Sequence, residues 1–157
     1  NSATYGTTKS GLITGTQWDT IMKWYQNSNI NVDTTQDWGT YGNLTYNGNG
    51  KYFKDSGSDP TTWSEGVFTR TGNSNSDSYP YYYHESGLNS NGIKKNIADL
   101  GGNVWEWSAE YYSKGIYSNR GGSSANNSNE YSSSNRFSNP LSSAEYYLGF
   151  RVVLYIQ

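Results

Sequence analysis

Cysteine is absent from this 157-residue chain, which excludes disulfides and thiolate chemistry and leaves the redox compartment open. Charge is scarce: 11 Lys and Arg against 13 Asp and Glu give a net charge of -2 and a pI near 5.3. That balance offers no electrostatic grip on nucleic acid. A single histidine rules out a site built mainly from imidazoles. No apolar run approaches the roughly 18–20 residues of a membrane span, so membrane insertion is not expected. The chain opens at Asn1 with neither Met nor a leader segment, which predicts an excised or mature piece of a larger protein.

Hydrophobic residues make up only 32% of the chain, and the mean hydropathy of -0.89 would suit a disordered protein. The aromatic content argues otherwise. Six Trp and sixteen Tyr bury large areas while Tyr keeps a polar tip at the surface. Gly, Asn, Ser and Thr supply the turns. Together these predict one folded, loop-rich domain over residues 1–157.

Apolar residues at Trp18, Ile21, Met22 and Tyr25 follow helical spacing, with Thr16 as the expected N-cap and Asn27-Ser28-Asn29 as the stop. The stripe reads as a helix packed on a sheet, the alternative being a partner surface. Further on, Trp38-Gly39, Gly42-Asn43, Asn47-Gly48-Asn49-Gly50 and Asp55-Ser56-Gly57 read as turns, with short strands at residues 51–53 and 66–69. The cluster from Tyr79 to His84 would either stack on a ligand face or pin a long loop to the core. Trp105 and Trp107 fall on one face of a strand that follows a Gly-rich turn. From Tyr111 to Tyr147 the chain is dominated by Ser, Asn and Tyr. It ends in an apolar run, residues 148–156, expected to be a buried strand.

Three segments in order, Gly-Asn-Val-Trp-Glu-Trp at 102–107, Arg-Gly-Gly-Ser at 120–123 and Gly-Phe-Arg-Val at 149–152, resemble the sulfatase-modifying-factor (formylglycine-generating-enzyme) family. The segment Leu12 to Asp19 looks like a degenerate copy of that family's helix, and Trp38-Gly39 like the dipeptide after it, so the resemblance spans roughly residues 10–157. It implies an α+β, C-type-lectin-like fold with a small mixed sheet, one or two helices and long loops, shortened at its N-terminus. Asn1 to Ser10 would supply a replacement edge strand.

The resemblance also carries chemical expectations. Formylglycine generation in this family needs a Cys pair to hold copper, and the sulfoxide-forming iron branch needs several His; neither set is present, so no catalytic cofactor and no enzyme activity are expected. His84 is expected to be a loop or packing residue. Structural Ca²⁺ is the remaining metal expectation, held by Asp99, Leu100, Gly102 and Val104, the last three through main-chain oxygens. Asp99 and Asn103 would otherwise satisfy the turn's own N–H groups. Glu106 and Arg151 are a candidate buried ion pair.

Part of this fold family serves as variable proteins of diversity-generating retroelements and as phage receptor-binding proteins. The stretch from Glu110 to Tyr147 looks like such a diversified segment, since Tyr gives rigid contact area and Ser, Gly and Asn give adaptable hydrogen bonding. The expected ligand-binding face comprises Tyr111, Tyr112, Tyr117, Asn119, Asn126, Asn127, Asn129, Tyr131, Asn135, Tyr146 and Tyr147. The composition of the rest of the chain is similar, which is the competing explanation. The expected function is a non-catalytic receptor-binding or adhesin domain, extracellular, cell-surface or phage-borne, engaging a protein or glycan on another surface. The alternatives are a structural module of a surface, pilus or phage-tail protein, and a calcium-dependent lectin.

Overall fold

The computed structural model describes residues 8–58, 61–73 and 79–156. Its one α-helix among these residues, α1 (Gly15–Asn27), begins two residues earlier than the sequence predicts. Thr14, not Thr16, is the N-cap: its side chain accepts from Gln17 N at 3.2 Å while Gln17 Oε1 accepts from Thr14 N at 2.9 Å. The reciprocal pair satisfies two donors at once, which Thr16 with Asp19 does not offer. Gly15 permits a close approach here, since a Cβ at that position would lie 2.4 Å from Glu110 Oε2. Trp18, Met22 and Tyr25 are buried, as a packed stripe requires.

Eleven strands surround the helix among the described residues, and the class is α+β. β1 (Thr8–Leu12) pairs antiparallel with β11 (Val152–Ile156). β2 (Tyr46–Asp55) lies between β3 (Ser64–Arg70) and β4 (Tyr81–His84), antiparallel to both. β5 (Ile93–Lys94) and β6 (Ile97–Ala98) form a short ladder. The largest sheet runs β10 (Leu148–Phe150), β7 (Trp105–Ser113), β8 (Ile116–Arg120), β9 (Arg136–Pro140), and is mixed because β10 is parallel to β7.

The expected turn at Asn47-Gly48-Asn49-Gly50 is instead the middle of β2. Its glycines serve packing: a Cβ on Gly48 would lie 2.5 Å from Phe68 Cζ, and one on Gly50 2.6 Å from Leu88 Cδ1. The C-terminal run also departs from expectation. It is two strands broken at Arg151, and Phe150, Val152 and Leu154 are exposed. Among the described residues β11 pairs only with β1, and its side chains alternate, with Val152 and Leu154 outward and Val153 packed on the core. Of the expected N-terminal strand, β1 supplies residues 8–12, and Asn1 to Thr7 lie outside the described residues.

The apolar core joins Ile13, Trp18, Met22, Tyr25, Val32, Trp38 and Leu100. Its aromatic members find partners for their polar tips: Trp18 Nε1 donates to Ser133 O at 2.8 Å and Tyr25 Oη to Lys94 O at 2.7 Å. Burial pushes the Tyr25 hydroxyl up to about 12. Such anchoring explains how a chain poor in aliphatic residues holds a fixed core.

Candidate functional site: an aromatic cleft

The register of β2 against β4 sets Asp55 opposite Tyr81 and Phe53 opposite Tyr83. Tyr81 and Tyr83 are buried, and beyond them lies a cleft of about 310 Å³. One wall is tyrosine: Tyr83 meets Tyr146 edge-on at 5.3 Å, and Tyr146 meets Tyr147 at 5.4 Å. Across the cleft, the Trp105 ring contacts Tyr131 at 5.8 Å and Phe137 at 5.5 Å. Ser123 and Asn126 add a small polar border, with the Ala125 methyl between them.

Asp55 sits in this setting with 4% exposure. Its Oδ1 accepts from Gly57 N at 2.9 Å and its Oδ2 from Tyr146 Oη at 3.0 Å. The carboxylate has no ion-pair partner among the described residues. Burial, reinforced by the neighbouring Tyr146 and Asp55, drives the Tyr83 hydroxyl far above its ordinary value, so it stays protonated.

Four of the eleven expected ligand-binding residues line the cleft: Asn126, Tyr131, Tyr146 and Tyr147. Tyr111 and Tyr112 stand exposed on β7, and Tyr117 of β8 meets Tyr111 edge-on at 5.9 Å, so these form a separate patch. Asn119 is fully buried between its cross-strand neighbours Trp107 and Phe137, with both side-chain polar atoms unpartnered, and so does not belong to an exposed face. Several asparagines hold their own loop together. Asn126 Oδ1 accepts from Ser123 N at 2.9 Å, Asn127 Oδ1 from Asn129 N at 2.9 Å, and Asn135 Nδ2 donates to Glu130 O at 2.6 Å. Asn129 is exposed on that loop.

Sequence reasoning missed Asp55, Trp105 and Phe137 as cleft residues. Nothing local marks Asp55, since only the β2–β4 register brings it beside Tyr81. The Tyr79 to His84 cluster was legible as packing: Tyr81 and Tyr83 are buried, and they also line the cleft. His84 is a packed strand residue, with Nε2 3.2 Å from Thr40 Oγ1 and Nδ1 2.8 Å from Glu85 O.

The expected metal residues lie elsewhere. Asp99 is buried at φ +54, and its Oδ2 accepts from Gly87 N at 2.7 Å and Ser86 Oγ at 3.1 Å. Its Oδ1 is buried with no hydrogen-bond partner, against Gly92, where a Cβ would lie only 2.6 Å away. An orphaned carboxylate oxygen fits one ligand of a hard cation. No cluster of three His, Asp or Glu capable of holding a metal occurs among the described residues. Ca²⁺ there would therefore depend on main-chain oxygens such as those of Leu100, in the core, Gly102, bridged to Thr40, and Val104.

Glu106 and Arg151 form the anticipated pair: Arg151 Nη2 and Nε donate to Glu106 Oε1 and Oε2 at 2.6 and 2.9 Å. Arg151 Nη2 also donates to Ala98 O at 2.8 Å, which ties β6 to the break before β11.

Residues 39–156 match the family model described as the sulfatase-modifying factor enzyme 1-like domain, FGE-sulfatase. No curated protein and no solved structure matches the chain. The match includes the Gly102 to Trp107, Arg120 to Ser123 and Gly149 to Val152 segments and begins after α1. It spans most of the chain, which therefore belongs to the sulfatase-modifying factor enzyme 1-like domain family.

Proposed function

We propose that this domain is a non-catalytic ligand-binding module, a receptor-binding or adhesin domain carried outside the cell by a larger protein, with the aromatic cleft as its binding site. The carrying observation is the convergence of Asn126, Tyr131, Tyr146 and Tyr147, all from the Asn/Ser/Tyr-rich segment, on one concave site with Trp105 and Phe137. Aromatic rings with a few polar groups are the make-up of a recognition pocket. The absence of Cys removes the copper-binding thiolates of formylglycine generation.

The expected ligand is a protein or glycan on another cell or on a phage host. The test applies the fluorescently labelled domain to a panel of whole bacterial cells and to a glycan array, with and without chelator. Cell binding that survives chelator and is lost in Tyr131→Ala supports the cleft as a protein-binding site. Glycan hits that chelator abolishes would make the domain a lectin, with Ca²⁺ bound through Asp99. Binding to nothing would leave a structural module of a surface, pilus or phage-tail protein.

Diversification by a retroelement is a further part of the proposal, supported by the crowding of Asn, Ser and Tyr between Glu110 and Tyr147. A reverse-transcriptase gene beside an adenine-rich repeat of the coding segment for Glu110 to Arg151 would support it. Flanking DNA with neither would overturn it and leave a fixed adhesin.

A further inference from the structure

The cleft is lined mostly by aromatic rings, with a single carboxylate among them. Its rings come from β4 and Tyr79 just before it, the β7 start, Tyr131 in the loop after β8, β9 and the segment before β10, while Asp55 is the one carboxylate among the residues that line it. A carboxylate at 4% exposure with no ion-pair partner among the described residues is costly unless something compensates it.

We propose that the cleft binds a methylated ammonium group, with the aromatic rings around the methyl groups and Asp55 as the counter-charge. This rests on the reading of the cleft as the ligand site. Ring faces attract cations through their quadrupole, and aromatic cages around quaternary ammonium are the recurring use of that attraction. One ring of the lining, Tyr81, already carries a cation, with the Arg70 guanidinium 4.8 Å from its centroid, which leaves the other rings for a ligand.

Two observations select the methylated class. Of the roughly four acceptor sites on the Asp55 carboxylate, two are taken by Gly57 N and Tyr146 Oη, which leaves too few for the three donors of a primary ammonium and favours a cation that needs no acceptor. The cleft volume of about 310 Å³ lies at the low end of ligand pockets, which run from about 300 to 1,000 Å³. It suits a headgroup rather than an extended saccharide.

The group would reach the cleft either as a free small molecule or on a methylated lysine of a partner. The test is calorimetric titration of the whole domain with choline, with its uncharged carbon counterpart 3,3-dimethyl-1-butanol, and with a trimethyllysine peptide. Choline or the peptide should bind at least tenfold tighter than the neutral alcohol, and the tighter of the two identifies the source. Asp55→Asn keeps the acceptor for Gly57 N and should erase that preference. Phe137→Leu, at a half-exposed wall position, should weaken the cation several-fold without loss of fold.

Equal affinity for the cation and the alcohol, or binding of neither, overturns the proposal. If both bind equally and Phe137→Leu weakens both, the cleft remains the ligand site and only the cation chemistry is lost. If neither binds and Tyr131→Ala leaves cell binding intact, the cleft reading falls as well.

Discussion

Asp19 on α1 and Arg120 at the end of β8 are 101 residues apart in sequence and 2.7 Å apart in space. Arg120 has no exposure at all, while the Asp19 side chain is 47% exposed. Arg120 also donates to Glu110 Oε2 at 3.2 Å, and its guanidinium lies 5.6 Å from the Trp18 ring. Arg136 closes the cluster, bonding Asp19 and Glu110 together. The arginine of the Arg-Gly-Gly-Ser segment therefore fastens the helix to the main sheet. Replacing Arg120 with Ala removes a buried side chain and leaves both carboxylates to Arg136 alone. The emptied, fully buried site should cost about 2–5 kcal/mol, read in a thermal melt as a Tm lower by roughly 4–20 °C.

The same cluster makes stability depend on acid. Burial opposes ionisation of Asp19, but Arg120 and Arg136 outweigh it and hold the carboxyl below its ordinary value of 3.8. Its contribution is therefore complete above pH 3.8 and is lost as pH falls through the depressed folded value. Asp19→Asn should lower stability by a constant amount at neutral pH, and the gap to the unchanged protein should close below that point. A gap that persists undiminished at the acid end would show that the cluster acts by packing instead of charge. Urea melts across the acid range measure it.

Much of this frame was legible and the cleft much less so, for a physical reason. Helical spacing marks Trp18, Met22 and Tyr25 because a buried face must repeat along its own element. Glu106 and Arg151 were readable as a pair because opposite charges in apolar segments need each other. Asp55 and Phe137 are brought to one cleft by strand register between distant segments, and no local pattern encodes that. Asn119 misleads in the other direction: it shares the composition of a display residue yet is buried between Trp107 and Phe137. The Asn47 to Gly50 segment shows the same limit, since its glycines answer to Phe68 and Leu88 and not to a turn.

Calcium bound at Asp99 would have a direct thermal signature. A cation that binds only the folded state at a hundredfold excess over its Kd adds about 2.7 kcal/mol, which raises the Tm by roughly 5–11 °C. Asp99→Asn should abolish that rise while keeping an acceptor for Gly87 N. A Tm that ignores both Ca²⁺ and chelator would remove calcium from the account and leave Asp99 as a turn-closing residue.

Two glycines of similar backbone conformation separate strain from contact. Gly102 (φ +76) and Gly115 (φ +74) both occupy the left-handed region, where any side chain costs about 1 kcal/mol or a little more. At Gly115 a Cβ would meet nothing within 4 Å. At Gly102 it would lie 2.0 Å from the Thr40 carbonyl oxygen and 2.4 Å from its carbon, in a backbone bridge that cannot yield cheaply. Gly115→Ala should therefore lower stability by about 1 kcal/mol and leave the fold intact. Gly102→Ala should cost several times more and yield little folded protein, as seen by near-ultraviolet circular dichroism of the buried aromatic rings. Equal, small losses at both positions would mean that the Thr40–Gly102 bridge is not needed to hold the turn that leads into Trp105.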